Sequence, residues 1–101
     1  MTQLTGAQRK YLRGLAHNLN PAAFVGAKGV TTAMIQEADN ALNASELIKI
    51  KFIDHKEKDV KAALLDEITA QLKCHLAGTI GHVAVLYRPN PDPEKQKITL
   101  V

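Results

Sequence analysis

Glu46-Leu47-Ile48-Lys49-Ile50-Lys51-Phe52-Ile53 decides the architecture. From Ile48 onward apolar and cationic residues alternate, so Ile48, Ile50 and Phe52 point one way and Lys49 and Lys51 the other. Such alternation marks a strand with one face on a core. Lysines on the outward side either guard an exposed face or edge or extend a basic surface; the guard role is favoured. Upstream, Met34, Ile35, Ala38, Ala41 and Leu42 share one side of a helix that Thr31 or Thr32 can cap and that ends near 43–45. Downstream, the densely charged stretch 54–61 reads as a solvated helix start. Val60, Leu64, Ile68 and Leu72 then repeat every four residues, with Ala63 and Gln71 alongside.

Further out, Thr5-Gly6-Ala7-Gln8 fits a capping box, in which threonine and glutamine each satisfy a backbone N–H of the first helical turn. That helix is predicted to run to about Leu19, ahead of Asn20-Pro21, with Leu12, Leu15, Ala16 and Leu19 facing the core and Tyr11 flanking them. Ala22 to Val25 is a short strand. Cys74 to Ile80, a break at Gly81, then His82 to Arg88 is a hairpin. Its second strand is apolar on both faces and should be central. Three prolines at 89, 91 and 93 end regular structure, and Lys97 to Val101 is a candidate edge strand. The predicted order is therefore α-β-α-β-α-β-β, an α/β single domain over 1–101 with a mixed four-stranded sheet and a proline-containing tail over 89–101. Two strand–helix–strand crossovers imply parallel neighbours, with the second and third helices on one face and the first on the other face or an edge.

Net charge is +3, and its distribution says more than its sum. Arg9, Lys10, Arg13 and Lys28 precede Glu37, the first acid, and the remaining nine cations nearly cancel all ten acids. The excess lies in the first third of the chain, a pattern that favours polyanions. Arg9, Arg13 and His17 form an i, i+4 row with Lys10 beside it, and no nearby acid pairs with them. The same third holds Val25-Gly26-Ala27-Lys28-Gly29-Val30-Thr31, a strand–glycine loop–helix junction. Such a junction aims unpaired amides and the positive end of a helix dipole at one spot, which attracts phosphate, and Lys28 adds a mobile cation. It is equally the pattern of an ordinary turn that needs glycine for its dihedrals.

Enzyme chemistry is not visible. Cys74 and His75 are strand neighbours pointing to opposite faces, and Cys74 reads as a buried structural residue. His17, His55, His75 and His82 lack metal-ligand spacing, and neither GxxxxGK[ST] nor GxGxxG occurs, so no metal and no cofactor are expected. Aromatics make up only 4%, which points to recognition of backbone and shape more than base stacking. No apolar run nears the ~20 residues that span a bilayer, and the N-terminus lacks the apolar stretch of a secretion signal. One cysteine fits a reducing compartment, and the expectation is a cytoplasmic monomer with no membrane contact.

Leu4-Thr5 with Gln8 to His17, then Val25 to Thr31, Glu46 to Lys51, and Ile80-Gly81-His82-Val83-Ala84-Val85-Leu86-Tyr87-Arg88-Pro89 resemble the CRM domain, and more narrowly its stand-alone bacterial form, the YhbY family. The resemblance covers nearly the whole chain. It implies a fold akin to the C-terminal domain of bacterial translation initiation factor three and an RNA-binding module whose KH-like GxxG loop, here Gly26 to Gly29, meets the RNA backbone. It further implies large-subunit ribosomal RNA, or its precursor particle, as the partner. Two departures stand out. Ala27-Lys28 stands where relatives often carry lysine first and asparagine second, and Gly78 interrupts a strand where a longer side chain is commoner. The candidate RNA-binding residues are Gly26, Ala27, Lys28, Gly29 and Thr31, with Arg9, Lys10, Arg13 and His17 of the first helix, and Lys49 and Lys51 as weaker members. The first helix and the loop are expected to form one cationic surface. The alternative is a non-catalytic adaptor that docks on a ribosomal protein through an exposed apolar patch.

Overall fold

The computed structural model describes residues 3–100. They form α1 (Gly6–Ala16), β1 (Pro21–Val25), α2 (Thr32–Ser45), β2 (Leu47–Phe52), α3 (Lys58–Leu72), β3 (His75–Ile80), β4 (Val83–Tyr87) and a short 3-10 turn, Pro93–Lys95. The four strands make one mixed sheet in the order β1-β2-β4-β3, with β1 parallel to β2 and the other two pairings antiparallel.

The alternation in β2 separates two cores. Ile48, Ile50 and Phe52 join Ala23 and Val25 of β1 and Ala84 and Leu86 of β4 beneath Met34, Ala38 and Leu42 of α2 and Leu65, Ile68 and Leu72 of α3. On the other face Leu12 and Ala16 of α1 rest on Leu47, Ala77, Val85 and Tyr87, edged by Leu4, Ile98 and Leu100. Burial of these apolar side chains, at about 1.5–3 kcal/mol each, is the main favourable term. The α/β class, the placing of α2 and α3 on one side of the sheet with α1 on the other, and the capping box, with both hydrogen bonds formed by Thr5 and Gln8, agree with the sequence.

Four expectations change. The β2–α3–β3 crossover does not join neighbours, because β4 lies between them. From Ala84 to Tyr87 every β4 residue is buried, whereas β3 exposes Leu76, Thr79 and Ile80, so the more apolar strand of the hairpin takes the centre. Helix α1 stops at Ala16, and Leu15 and Leu19 are 43% and 40% exposed instead of buried. Of its apolar residues Leu12 and Ala16, one turn apart, are the ones buried against the sheet. The buried row of α3 is Leu65, Ile68 and Leu72, with Leu64 at its margin and Val60 exposed. A strict four-residue repeat drifts around a 3.6-residue helix, so its two ends cannot both face the sheet. Finally, 97–100 is not a strand; Val101 lies outside the described residues.

What holds the tail is Glu46, a residue that the strand reading placed merely at the start of β2. It closes α2 in the left-handed conformation, at φ 64°, and its buried carboxylate accepts the amides of Asn90 at 2.6 Å, Lys97 at 2.6 Å and Ile98 at 3.1 Å. Its carbonyl also accepts the Arg88 amide at 2.8 Å. Arg88 in turn gathers the ends of α2 and α3: its guanidinium donates to Asp39 Oδ1 (2.9 Å), the Asp39 carbonyl, Asn43 Oδ1 and the Leu72 carbonyl. This end of the sheet is thus braced by side chains. Replacing Glu46→Gln is expected to destabilise the fold by about 2 kcal/mol in urea unfolding and to speed exchange of the Asn90, Lys97 and Ile98 amides, because three donors lose a charged acceptor.

Candidate nucleic-acid interface

Parallel pairing of β1 with β2 puts the ends of both strands on one side of the molecule, where Val25 stands opposite Phe52. The Val25 carbonyl accepts the amides of Ile53 at 2.9 Å and Asp54 at 3.2 Å, fixing the point at which β1 gives way to the glycine loop. Within the loop Gly29 donates to the Gly26 carbonyl at 2.9 Å, and Thr31 Oγ1 caps α2 by accepting the Met34 amide at 3.1 Å. The His55 ring nitrogen Nε2 lies 2.9 Å from the Ala27 carbonyl, so the protonated nitrogen donates to the loop. Nothing in the local sequence pairs residues 27 and 55; only the strand register does.

The two glycines do different work. Gly29 has φ 72°, which its position in the turn requires. Gly26 has no such dihedral, and a methyl group there would meet no heavy atom within 4 Å. Its bare backbone therefore leaves open space at the tip. Beside it the amides of Ala27 and Lys28 donate to nothing within the described residues, and the exposed Lys28 ammonium has no partner there.

The other candidate cations divide. Arg9 donates to the Leu4 carbonyl at 2.8 Å, and Arg13, half-buried, to the Ala77 carbonyl at 2.9 Å. Lys49 Nζ donates to the His17 carbonyl at 3.0 Å, tying the end of α1 to β2. The Arg13 stem also lies over Gly78, where an added Cβ would stand 2.8 Å from Arg13 Cδ. That close approach and the bulge between Leu76 and Gly78 explain the mid-strand glycine. Lys10 and Lys51 are exposed and, among the described residues, unpaired. Strand β2 is flanked on both sides, so its lysines guard no edge.

Arg9 and Arg13 stand at β3 and the loop follows β1, the two outer strands, three strand spacings or about 14 Å apart. The structure thus sets Arg13 over the outer strand away from the loop, while α1 itself crosses the sheet from β3 to β2, where Lys49 holds the His17 carbonyl. Sequence reasoning missed His55 and also Lys61, whose Nζ donates to the Gly81 carbonyl at 3.0 Å and lies 3.2 Å from His82 Nδ1. An ammonium can only donate, so His82 Nδ1 accepts there; desolvation, with the Lys61 and Lys56 charges, lowers the His82 pKa.

Elsewhere, burial pushes the Cys74 thiol up to about 11, which suppresses the thiolate, and His75 stacks on Tyr87. Among the described residues no group of three or more His, Cys, Asp or Glu could hold a metal ion, and no helix is long and apolar enough to cross a membrane.

Comparison with known proteins gives a consistent result. The model of the CRS1 / YhbY (CRM) domain matches residues 4–88. The chain is 40% identical over 96 residues to an RNA-binding protein of Haemophilus influenzae, spanning 95% of this chain and 96% of that one. It is 37% identical over 89 residues to the "Probable RNA-binding protein YqeI" of Bacillus subtilis, at 88% and 92% coverage. The solution structure of the hypothetical protein SAV1595 from Staphylococcus aureus superposes with a TM-score of 0.80 at 32% identity, covering 96% of this chain and all of that one.

The loop geometry makes one prediction independent of any ligand. His55→Ala should speed exchange of the Gly29 amide severalfold while moving global stability by less than about 1 kcal/mol, because one exposed hydrogen bond to the loop is lost.

Proposed function

The chain belongs to the CRS1 / YhbY (CRM) domain family, and on that premise we propose that it acts as one RNA-binding module whose glycine loop grips a sugar–phosphate backbone. Its work is binding rather than catalysis. The observation that carries this reading is the state of the loop tip: open space over Gly26, two undonated amides and an unpaired ammonium at Lys28, all held in one shape by Val25, Gly29 and His55. Free amides and a mobile cation in a pre-formed loop suit phosphate oxygens, and little ordering entropy is lost when they bind.

The arrangement of cations sets their roles in this reading. Lys28 contacts phosphate directly, with the amides of Ala27 and Lys28 beside it and Thr31 holding the start of α2. Lys10 and Lys51, being unengaged, supply further contacts. Arg9, Arg13 and Lys49 each commit a donor to a carbonyl and so position α1, while their charge contributes to the field around it. His17 lies at the end of that helix. The names of the relatives point to RNA as the partner. Large-subunit ribosomal RNA in an assembling particle, met in the cytoplasm by a monomer, is the specific target we infer from the family resemblance.

Binding to a ribosomal RNA fragment, followed by anisotropy across a salt series, tests the proposal. Affinity should fall as salt rises. Lys28→Ala should cost about 1 kcal/mol and lower the log–log salt slope by about 1. Gly26→Asp with Lys28→Ala, which the open space at Gly26 tolerates, should abolish measurable binding with the unfolding midpoint unchanged. Wild-type affinity in that folded double variant refutes the loop's role, and cross-linking in cells that recovers no large-subunit RNA refutes the target.

A further inference from the structure

Between α1 and the glycine loop lies a strip of sheet that nothing among the described residues covers. The face that carries α1 has Arg13 above Gly78 and the end of α1 above Lys49, and Gly78, Val85 and Lys49 are paired across β3, β4 and β2. One row further toward the loop, about 7 Å along the strands, Phe24, Lys51, Val83 and Ile80 are paired across all four strands. All four point to the α1 side, since their neighbours Val25, Ile50, Phe52 and Ala84 are buried in the α2/α3 core. Phe24 is 51% exposed and Ile80 58%, although each sits in a strand of a well-packed sheet.

The row is chemically selective. No acidic residue lies on this face of the sheet, Lys51 is unengaged at the middle of the row, and Phe24 precedes Gly26 by two residues. Phe52 and Tyr87 are buried and the exposed Tyr11 belongs to α1, so among the strands Phe24 is the Phe or Tyr offered to solvent. An aromatic ring beside a free ammonium matches the two halves of a nucleotide, a π-surface and a phosphate. An unpaired base has a face free to stack on a ring, whereas inside a duplex both faces of each base are already stacked on its neighbours.

We propose that this row seats one unpaired nucleotide, its base stacked on Phe24 and its phosphate paired with Lys51, next to the backbone held by the loop. The assignment rests on the loop reading above and adds to it the class of RNA: a segment single-stranded at the site of contact. It also gives the scarce aromatic content a use, since one placed ring suffices.

The test uses the full chain, a short labelled single-stranded oligonucleotide and the same sequence as a blunt duplex. Phe24→Leu, which keeps the apolar bulk, is expected to weaken single-strand binding roughly tenfold, with no change in salt slope and none in duplex affinity. Phe24→Trp introduces the protein's sole tryptophan, and its emission should be quenched by the single strand and not by the duplex. If Phe24→Leu binds the single strand like the wild type while Lys28→Ala weakens it, the seat is refuted and the loop reading stands. An equal loss on both RNAs, or a tryptophan whose emission is unchanged in the bound complex, also refutes the seat. A wild-type chain that binds neither RNA overturns both.

Discussion

Parallel pairing of β1 with β2 is the constraint from which the rest follows. It forces the chain to cross over through α2, and it brings the ends of two strands to the same side of the molecule. Hydrogen bonds from Ile53 and Asp54 to the Val25 carbonyl convert that proximity into a fixed junction, and His55 then reaches the loop. The loop's shape is therefore set by a segment that follows it by more than twenty residues. The opposite end of the sheet is built differently, with Glu46 and Arg88 gathering the chain through side-chain contacts. One end is braced internally, and the other presents unsatisfied donors to solvent.

Much of this was legible. Alternation in β2, apolarity on both faces of β4 and the capping box at Thr5 report local physics, and each appears in the structure as read. The glycine loop was legible as a junction between strand and helix. What escaped depends on contacts distant in sequence. Glu46 looks like the first residue of a strand until the tail folds back to it, and Arg88 looks like the last residue of one until two helix ends converge on it. At β4 two expectations collided: its apolar faces marked it as central, as it is, and that same placing denies β2 and β3 the neighbouring positions that the crossover implied.

The candidate site illustrates a further limit. Charge counting singles out the first third of the chain, yet it cannot distinguish a cation free to meet a ligand from one already spent on a carbonyl. Arg13 sits above a glycine, its head turned inward to Ala77, and Lys49 holds the end of α1. Lys28, Lys10 and Lys51 carry the same charge with nothing among the described residues to neutralise or direct it. Likewise a low aromatic content describes the chain and not the surface, where a single ring can be well placed.

The alternating lysines of β2 have another effect, on how faithfully the chain folds. A slip of one residue in this strand would turn Lys49 and Lys51 into the core beneath α2 and α3 and expose Ile48, Ile50 and Phe52 instead. Burying either ammonium without a partner costs several kcal/mol, a sizeable part of the net stability of a domain this small. A sheet threaded one residue out of register against β1 or β4 is thereby penalised. The two charges act as a proofreading mark written into the strand on which the rest of the sheet assembles.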